Sequence, residues 1–304
     1  IVVERRANGP YADLFDFCRR VDKRLVNRRA IEALVRAGSF DSIAPDRAAL
    51  LASVGMAMGA AEQAERQAAQ NSLFGDAEAV RVPPGAMAPV KPWDMRQTLL
   101  EEKLALGFYL SAHLFSVYAP ALEGFPRTAL AKLQPSDGRI WMAGIIAQAR
   151  TQMTRRGKML VVTLDDGSAQ IEMTVFSELY DRHRDKLKED ALLVISGKVQ
   201  RDDFSGGVRV SAEEVFDLAG LRERYATRLR IAVNGQADAK RLMEMLGPYR
   251  MNGGDGNGAC GVTVHCETGG AVCDVALGDA WRVRPDERLI EALAAWLEPQ
   301  NVRV

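Results

Sequence analysis

The hydrophobic period of this chain changes at about Arg139, and that change limits what the chain can fold into. Before it, apolar residues recur at helical spacing. After it, they come in short runs and then alternate: Ile140 to Ala147 is an apolar run and Met159 to Leu164 is rich in valine. Ile171, Met173 and Val175 then interleave with Gln170, Glu172 and Thr174, which gives a strand one buried and one wet face. Asp166-Gly167 is the strongest short hairpin signal in the chain.

Glu178 to Lys188 reads as a helix, Leu192 to Ile195 starts a fourth strand, Gly206-Gly207 turns it, and Val208 to Ala212 forms a fifth. Three strands, a helix and two strands is the order of an OB-fold, a five-stranded barrel that closes a small sheet on itself. Upstream, Pro10 opens a helix over Tyr11 to Arg20, and Asn27 caps one over Arg28 to Ala37 that Gly38 ends in a left-handed conformation. A third helix from Asp46 carries Leu50, Val54, Met58 and Ala61 on one stripe, then turns polar. Gly75 to Pro92 contains Pro83, Pro84, Gly85, Pro89 and Pro92 and reads as an extended linker. Met95 to Ser111 resumes a helix with Leu99, Leu100, Leu104 and Phe108 as its apolar coverage, and Leu114 to Leu122 adds a short one.

From about Tyr225 a small α+β domain is expected. Its strands lie at Arg228 to Val233, Val262 to Cys266 and Ala271 to Ala276, and its helices at Ala237 to Leu246 and around Leu289, Leu293, Trp296 and Leu297, with a turn region from Gly253 to Gly258. The expectation is a multidomain protein, α plus β. Its parts are a helical region (1–69), a peptide and linker (70–93), a helical connector (94–138), the five-stranded OB-fold barrel (139–218) and the C-terminal domain (219–304).

At 304 residues the chain is too long for one ordinary core, and its 47% hydrophobic content excludes wholesale disorder. The formal charge is zero, so contact with nucleic acid has to come from local clusters. No apolar run approaches the roughly 18 residues of a membrane span, and the expected location is the cytoplasm. The chain starts at Ile1 in full pattern, and a piece of a longer protein is expected. Cys260, Cys266 and Cys273 with His265 lack the paired knuckles of a zinc site and are read as reduced thiols on strands, with no metal expected.

Gln70, Asn71, Ser72, Leu73 and Phe74 read as a docking peptide: an amide for a polar pocket, then two adjacent apolar anchors. The alternative is that Leu73 and Phe74 fold back on the preceding helix. For the barrel, Arg155, Arg156 and Lys158 in the first hairpin and Lys198, Arg201, Phe204 and Arg209 around the last could line a groove for single-stranded nucleic acid. Asp202, Asp203, Glu213 and Glu214 lie nearby, and an idle charged hairpin is the other reading. A further cluster, Arg19, Arg20, Lys23, Arg24, Arg28 and Arg29, is either a DNA-facing patch or a solvated helical face interspersed with Asp13, Asp16 and Asp22. P-loop, dinucleotide, H-E-x-x-H and G-x-S-x-G patterns are missing, Asp165-Asp166 are read as turn formers, and no catalytic residue is assigned.

Several ordered motifs together resemble one family. Asn27 to Leu34 runs into Ala37-Gly38-Ser39-Phe40-Asp41, followed by Gln70 to Phe74 and by Leu106 to His113. In the barrel come Thr163 to Asp166, Ile195 to Val199 and Asp202 to Gly207, and Trp281-Arg282-Val283 extends the pattern to the end. The set resembles the C-terminal portion of the bacterial replicative DNA polymerase III alpha subunits. That resemblance implies a helix-hairpin-helix region, a peptide that binds the sliding clamp (the beta subunit), an OB domain near single-stranded and primer-template DNA, and a C-terminal domain for the tau subunit of the clamp loader. It implies that Gln70 enters the clamp's polar pocket and Leu73 and Phe74 its apolar one. Asn71 stands where the family often carries leucine, and Ala37-Gly38-Ser39 lacks the family's paired glycines. The polymerase aspartates and their Mg2+ are implied to lie in an upstream domain, so this fragment would be non-catalytic and hold no cofactor. The alternatives are an OB-fold RNA-binding appendage of an aminoacyl-tRNA-synthetase-like enzyme and a protein-interaction scaffold.

Overall fold

Aspartate and asparagine residues set the starts of the N-terminal helices. The computed structural model describes residues 1–71, 86–154, 157–202, 206–233, 238–251, 259–268 and 271–304. The chain divides into two compact units, Ile1–Val117 and Tyr118–Val304. In the first, α1 (Val2–Asn8) precedes α2 (Leu14–Arg20), α3 (Arg28–Arg36), α4 (Arg47–Asn71) and α5 (Met95–Leu106), and α6 (Leu114–Tyr118) reaches the division. The side chain of Asn27 accepts from Ala30 N, that of Asp46 from Ala49 N and that of Asp94 from Gln97 N, each occupying one donor of a first turn. Asp13 caps α2 by accepting from Asp16 N, so that helix starts at Leu14 and not at the expected Tyr11. Tyr11 instead packs edge-on against Phe17 and lies under the Arg20 guanidinium.

Leu14, Phe17, Ile31, Val35, Phe40, Leu50, Val54 and Ala57 form the core of this unit. The expected stripe on α4 is present, with Leu50 and Val54 fully buried. The helix continues to Asn71, so the backbone of Gln70 and Asn71 belongs to its last turn. Residues 86–94 have no helix or strand, and Ala88 N donates to Ser53 Oγ on α4 at 2.9 Å.

Helix α5 stops at Gly107, whose φ of 85° is left-handed, and does not run to the expected Ser111. The cause is Glu102. Its fully buried carboxylate accepts from Leu110 N and Ser111 N, both at 2.8 Å, and those bonds require the chain to fold back. The expected apolar coverage is correspondingly narrower: Leu99 is fully buried, while Leu104 and Phe108 are exposed.

The second unit holds a closed barrel in the order β1-β2-β3-β5-β4. Its strands are β1 (Ser136–Thr154), β2 (Gly157–Asp165), β3 (Gln170–Phe176), β4 (Leu192–Arg201) and β5 (Val208–Phe216), with α7 (Ser177–His183) between β3 and β4. The 19 residues of β1 serve two partners, β4 from Ser136 to Ile145 and β2 from Ile145 to Thr154. Near Gly197 the ladder closes so tightly that a Cβ would stand 2.5 Å from the Ser211 carbonyl oxygen. Met142, Ile146, Val162, Leu164, Met173, Val175, Leu193, Ile195, Val199 and Val210 fill the interior. The Asp166-Gly167 turn sits where expected, with Asp166 accepting from Ser168 N and Ala169 N. Helix α7 ends at His183 and not at Lys188, because the following segment returns to β1, where Asp190 N donates to Ile146 O and Ile146 N to Ala191 O.

After α8 (Leu218–Tyr225), a second sheet has the order β8-β7-β6-β9. Strand β6 (Arg228–Val233) runs parallel to β7 (Gly261–Thr268), which pairs antiparallel with β8 (Ala271–Ala276), and β9 (Val302–Arg303) lies on the other edge of β6. Helices α9 (Ala239–Leu246) and α10 (Glu287–Leu297) cover one face, packing Leu242, Leu246, Leu289 and Leu293 on Leu229, Ile231 and Val262. The expected turn at Gly253 to Gly258 lies outside the described residues. The cysteines are free; Cys260 is buried, and burial pushes its thiol up to about 11, while Cys266 and Cys273 face each other across β7 and β8. Among the described residues, no helix is long and apolar enough to cross a membrane.

Candidate nucleic-acid interface

Of the residues expected to line the barrel groove, Lys158, Lys198, Arg201 and Arg209 are described. Arg155, Arg156 and Phe204 lie outside the described residues, as do Ser72, Leu73 and Phe74 of the docking peptide. Lys158 on β2 places its ammonium 5.0 Å from the Tyr180 ring of α7. Lys198 and Arg209 lie diagonally across β4 and β5, where Lys198 pairs with Glu213 at 3.3 Å and Arg209 with Asp202 at 3.1 Å. Arg139 reaches the same Glu213 at 2.6 Å, so one carboxylate is shared by two cations. Arg201 is exposed at the end of β4, with no carboxylate partner among the described residues.

The helical cations are compensated almost one by one. Arg19 and Arg20 pair with Asp16, Lys23 with Glu65, Arg24 with Asp22 and Arg28 with Glu32. At the hairpin that follows α3, Gly38 has φ of 77°, and a Cβ there would collide with the Arg47 guanidinium. Arg47 fills that space itself, donating to Asp41, to Glu102 and to the Arg36 carbonyl. Burial pushes the Glu102 carboxyl up, but the Ser111 hydroxyl, Arg47 and two backbone N–H groups outweigh it and hold the group down at about 2. This turn is closed by its own side chains.

A gathering of aromatics that sequence reasoning missed lies on the outside of the barrel. Trp141 of β1, Phe216 of β5, Tyr225 of α8 and Phe125 converge with ring centroids 5.1 to 6.1 Å apart, mostly edge to face. Met142 points into the core, and the strand period turns its neighbour Trp141 outward. Phe125, Trp141 and Tyr225 line a cavity of about 490 Å3 together with Arg222, Thr227 and Arg228. Arg222 Nε is buried without a hydrogen-bond partner, and burial pushes that guanidinium down, with Glu287 opposing. Arg224 lies 5.5 Å from the Phe216 ring and pairs with Glu214 at 3.6 Å. These residues gave no local signal: Trp141 was one letter in an apolar run, and the others stand at element ends or in a loop.

Comparison with known proteins places the parts. A helix-hairpin-helix motif model matches residues 1–50, and an OB-fold nucleic acid binding domain model matches residues 140–218. The DNA polymerase III subunit alpha of Escherichia coli K12 is 34% identical over 315 residues, covering 100% of this chain. The chain belongs to the DNA polymerase III alpha subunit family. Among the alpha subunits, that of Vibrio cholerae is 35% identical over 318 residues, and that of Neisseria meningitidis serogroup A is 39% identical over 253 residues, or 83% of this chain. The similarity is to the C-terminal region of the alpha subunit, and the chain spans 22% to 27% of these relatives' length. Among solved structures, the second OB-fold domain of replication protein A from Methanococcus maripaludis aligns with 30% of this chain and 94% of that chain, at 18% identity and a TM-score of 0.24. The alpha-subunit region therefore joins a helix-hairpin-helix part to an OB-fold barrel and a second, mixed sheet.

Proposed function

We propose that this region is the non-catalytic, tethering part of a replicative DNA polymerase of the bacterial cytoplasm. In this reading Gln70 to Phe74 grip the sliding clamp, the barrel handles single-stranded template near the primer-template junction, and the C-terminal domain meets the tau subunit of the clamp loader. DNA synthesis and its Mg2+ belong to another part of the same polypeptide. The observation that carries the reading is the order of the parts in a chain related to alpha subunits along its whole length: a glutamine-led pair of apolar anchors stands between a helix-hairpin-helix part and a nucleic-acid-type barrel.

Single-strand handling is supported by the exposed cations Lys158, Lys198, Arg201 and Arg209; the surface carboxylates paired with Lys198 and Arg209 add little binding of their own. A protein-contact role for the C-terminal domain is supported by an apolar cavity of about 280 Å3 that includes Leu242, Val264, Trp281 and Trp296, beside the exposed edge strand β8.

The test is the double variant Leu73→Ala, Phe74→Ala. Calorimetry against the sliding clamp is expected to show loss of binding, with circular dichroism unchanged. Wild-type affinity in the variant overturns the tether.

A further inference from the structure

Arg222 is the largest unexplained feature of the second unit. Its Nε is buried and bonded to nothing, and the residue lines a cavity that also holds the rings of Phe125, Trp141 and Tyr225. A donor kept buried and unused is a standing cost, and a ligand acceptor removes it. Arg228, on the same cavity, lies within electrostatic reach of Asp274 but forms no salt bridge among the described residues, whereas Arg224, Arg230 and Arg303 are paired with Glu214, Asp274 and Glu123. Two guanidiniums that lack a salt bridge among the described residues, each a planar fork matched to phosphate oxygens, therefore meet three rings at one opening.

We propose that this cavity binds one nucleotide of a single strand, its base against Phe125, Trp141 and Tyr225 and its phosphate on Arg222 and Arg228. A cavity of about 490 Å3 admits a base with its sugar, and Tyr225, 37% exposed, offers a ring to a stacking partner. Trp141 and Phe216 fall within the stretch matched by the nucleic acid binding domain model, so the opening adjoins the barrel. Beyond it, Arg228, Arg230 and Arg303 share the face of the second sheet opposite its helices, and Arg230 and Arg303 are register partners. That row continues the phosphate track from the cavity.

The carboxylates select the form of the ligand. Glu123 lines the cavity and Glu287 acts on Arg222, so a dianionic terminal phosphate is disfavoured and the single charge of a phosphodiester fits. The site takes a residue of a strand in preference to a free nucleotide. The proposal rests on the single-strand reading of the barrel, and its test separates the two.

In the full chain, the indole N–H signal of Trp141, assigned with Trp141→Phe, is followed by NMR as the dinucleotide TpT or the mononucleotide dTMP is added. TpT is expected to shift the signal saturably and dTMP to need about tenfold more, the factor that a single lost charge-assisted contact represents. Arg222→Met is expected to remove the TpT shift and Arg228→Ala to weaken it several-fold, with the rest of the amide spectrum in place. A signal that TpT leaves unmoved, or moves equally in Arg222→Met, overturns the site, and a signal that responds more strongly to dTMP overturns the preference for a strand. The barrel is tested apart, by anisotropy of a labelled oligothymidylate of about fifteen residues on Lys198→Ala, Arg209→Ala. Loss there with Trp141 unmoved by TpT keeps the barrel and removes the nucleotide site; a TpT shift with wild-type oligomer affinity in that variant does the reverse.

Discussion

Arg47 and Arg222 are both guanidiniums drawn out of water, one in each unit of the chain, and their surroundings differ in a way that separates folding from binding. Arg47 donates to two carboxylates and a backbone carbonyl, and its partner Glu102 also accepts from a hydroxyl and two backbone N–H groups. Every strong acceptor there is used, and the group fixes the end of α5 and the turn at Gly38. Arg222 has a buried Nε with no acceptor and an open cavity beside it. A satisfied buried network specifies a fold, whereas an unsatisfied donor at a cavity leaves room for something that is not part of the chain.

The largest test of that contrast is Glu102→Ala. It strands Arg47 with half its compensation and leaves the Leu110 and Ser111 amides without an acceptor, so the first unit is expected to lose about 3–5 kcal/mol. Urea denaturation followed by amide exchange in α3 to α5 measures it, and a loss near zero would make the network ornamental.

Next in size is the acid response of the same group. The Glu102 carboxyl is held at about 2, below its ordinary 4.5, so its contribution is complete above pH 4.5 and is lost as pH falls through the folded value near 2. The integrated effect is about 3 kcal/mol, and Glu102→Gln should flatten that part of the pH–stability curve. An unchanged acid limb in the variant would assign the effect to another carboxylate.

The smallest expected effect belongs to Arg222→Met, which removes a desolvated charge without breaking a hydrogen bond at Nε. Stability should stay within about 1 kcal/mol of the parent in thermal and urea unfolding. A large destabilisation would make Arg222 a structural residue like Arg47 and erase the distinction.

Local signals were legible in the letters. Alternation at Ile171, Met173 and Val175, the Asp166-Gly167 turn and the cap at Asn27 each act within a few residues, and the barrel follows from them. What escaped notice depends on distant partners. Glu102 reads as one more exposed charge on a helix until Arg47, far back in the chain, is placed beside it. Likewise, Phe125, Trp141, Phe216 and Tyr225 meet only after the barrel has closed and α8 has packed against it. The parallel pairing of β6 with β7 and the short edge strand β9 were unmarked for the same reason, since no turn chemistry links them.

Helix α4 has a mechanical consequence. Its 25 residues make a rod of about 37 Å, and the last buried apolar position described on it is Ala61. Some ten residues, about 15 Å, run on past that point to Asn71 with helical backbone, and Glu65 among them pairs with Lys23 at 3.0 Å. A partner that takes hold of Gln70 and Asn71 therefore pulls on a cantilever. Force applied at its tip becomes torque about the packed half of the helix.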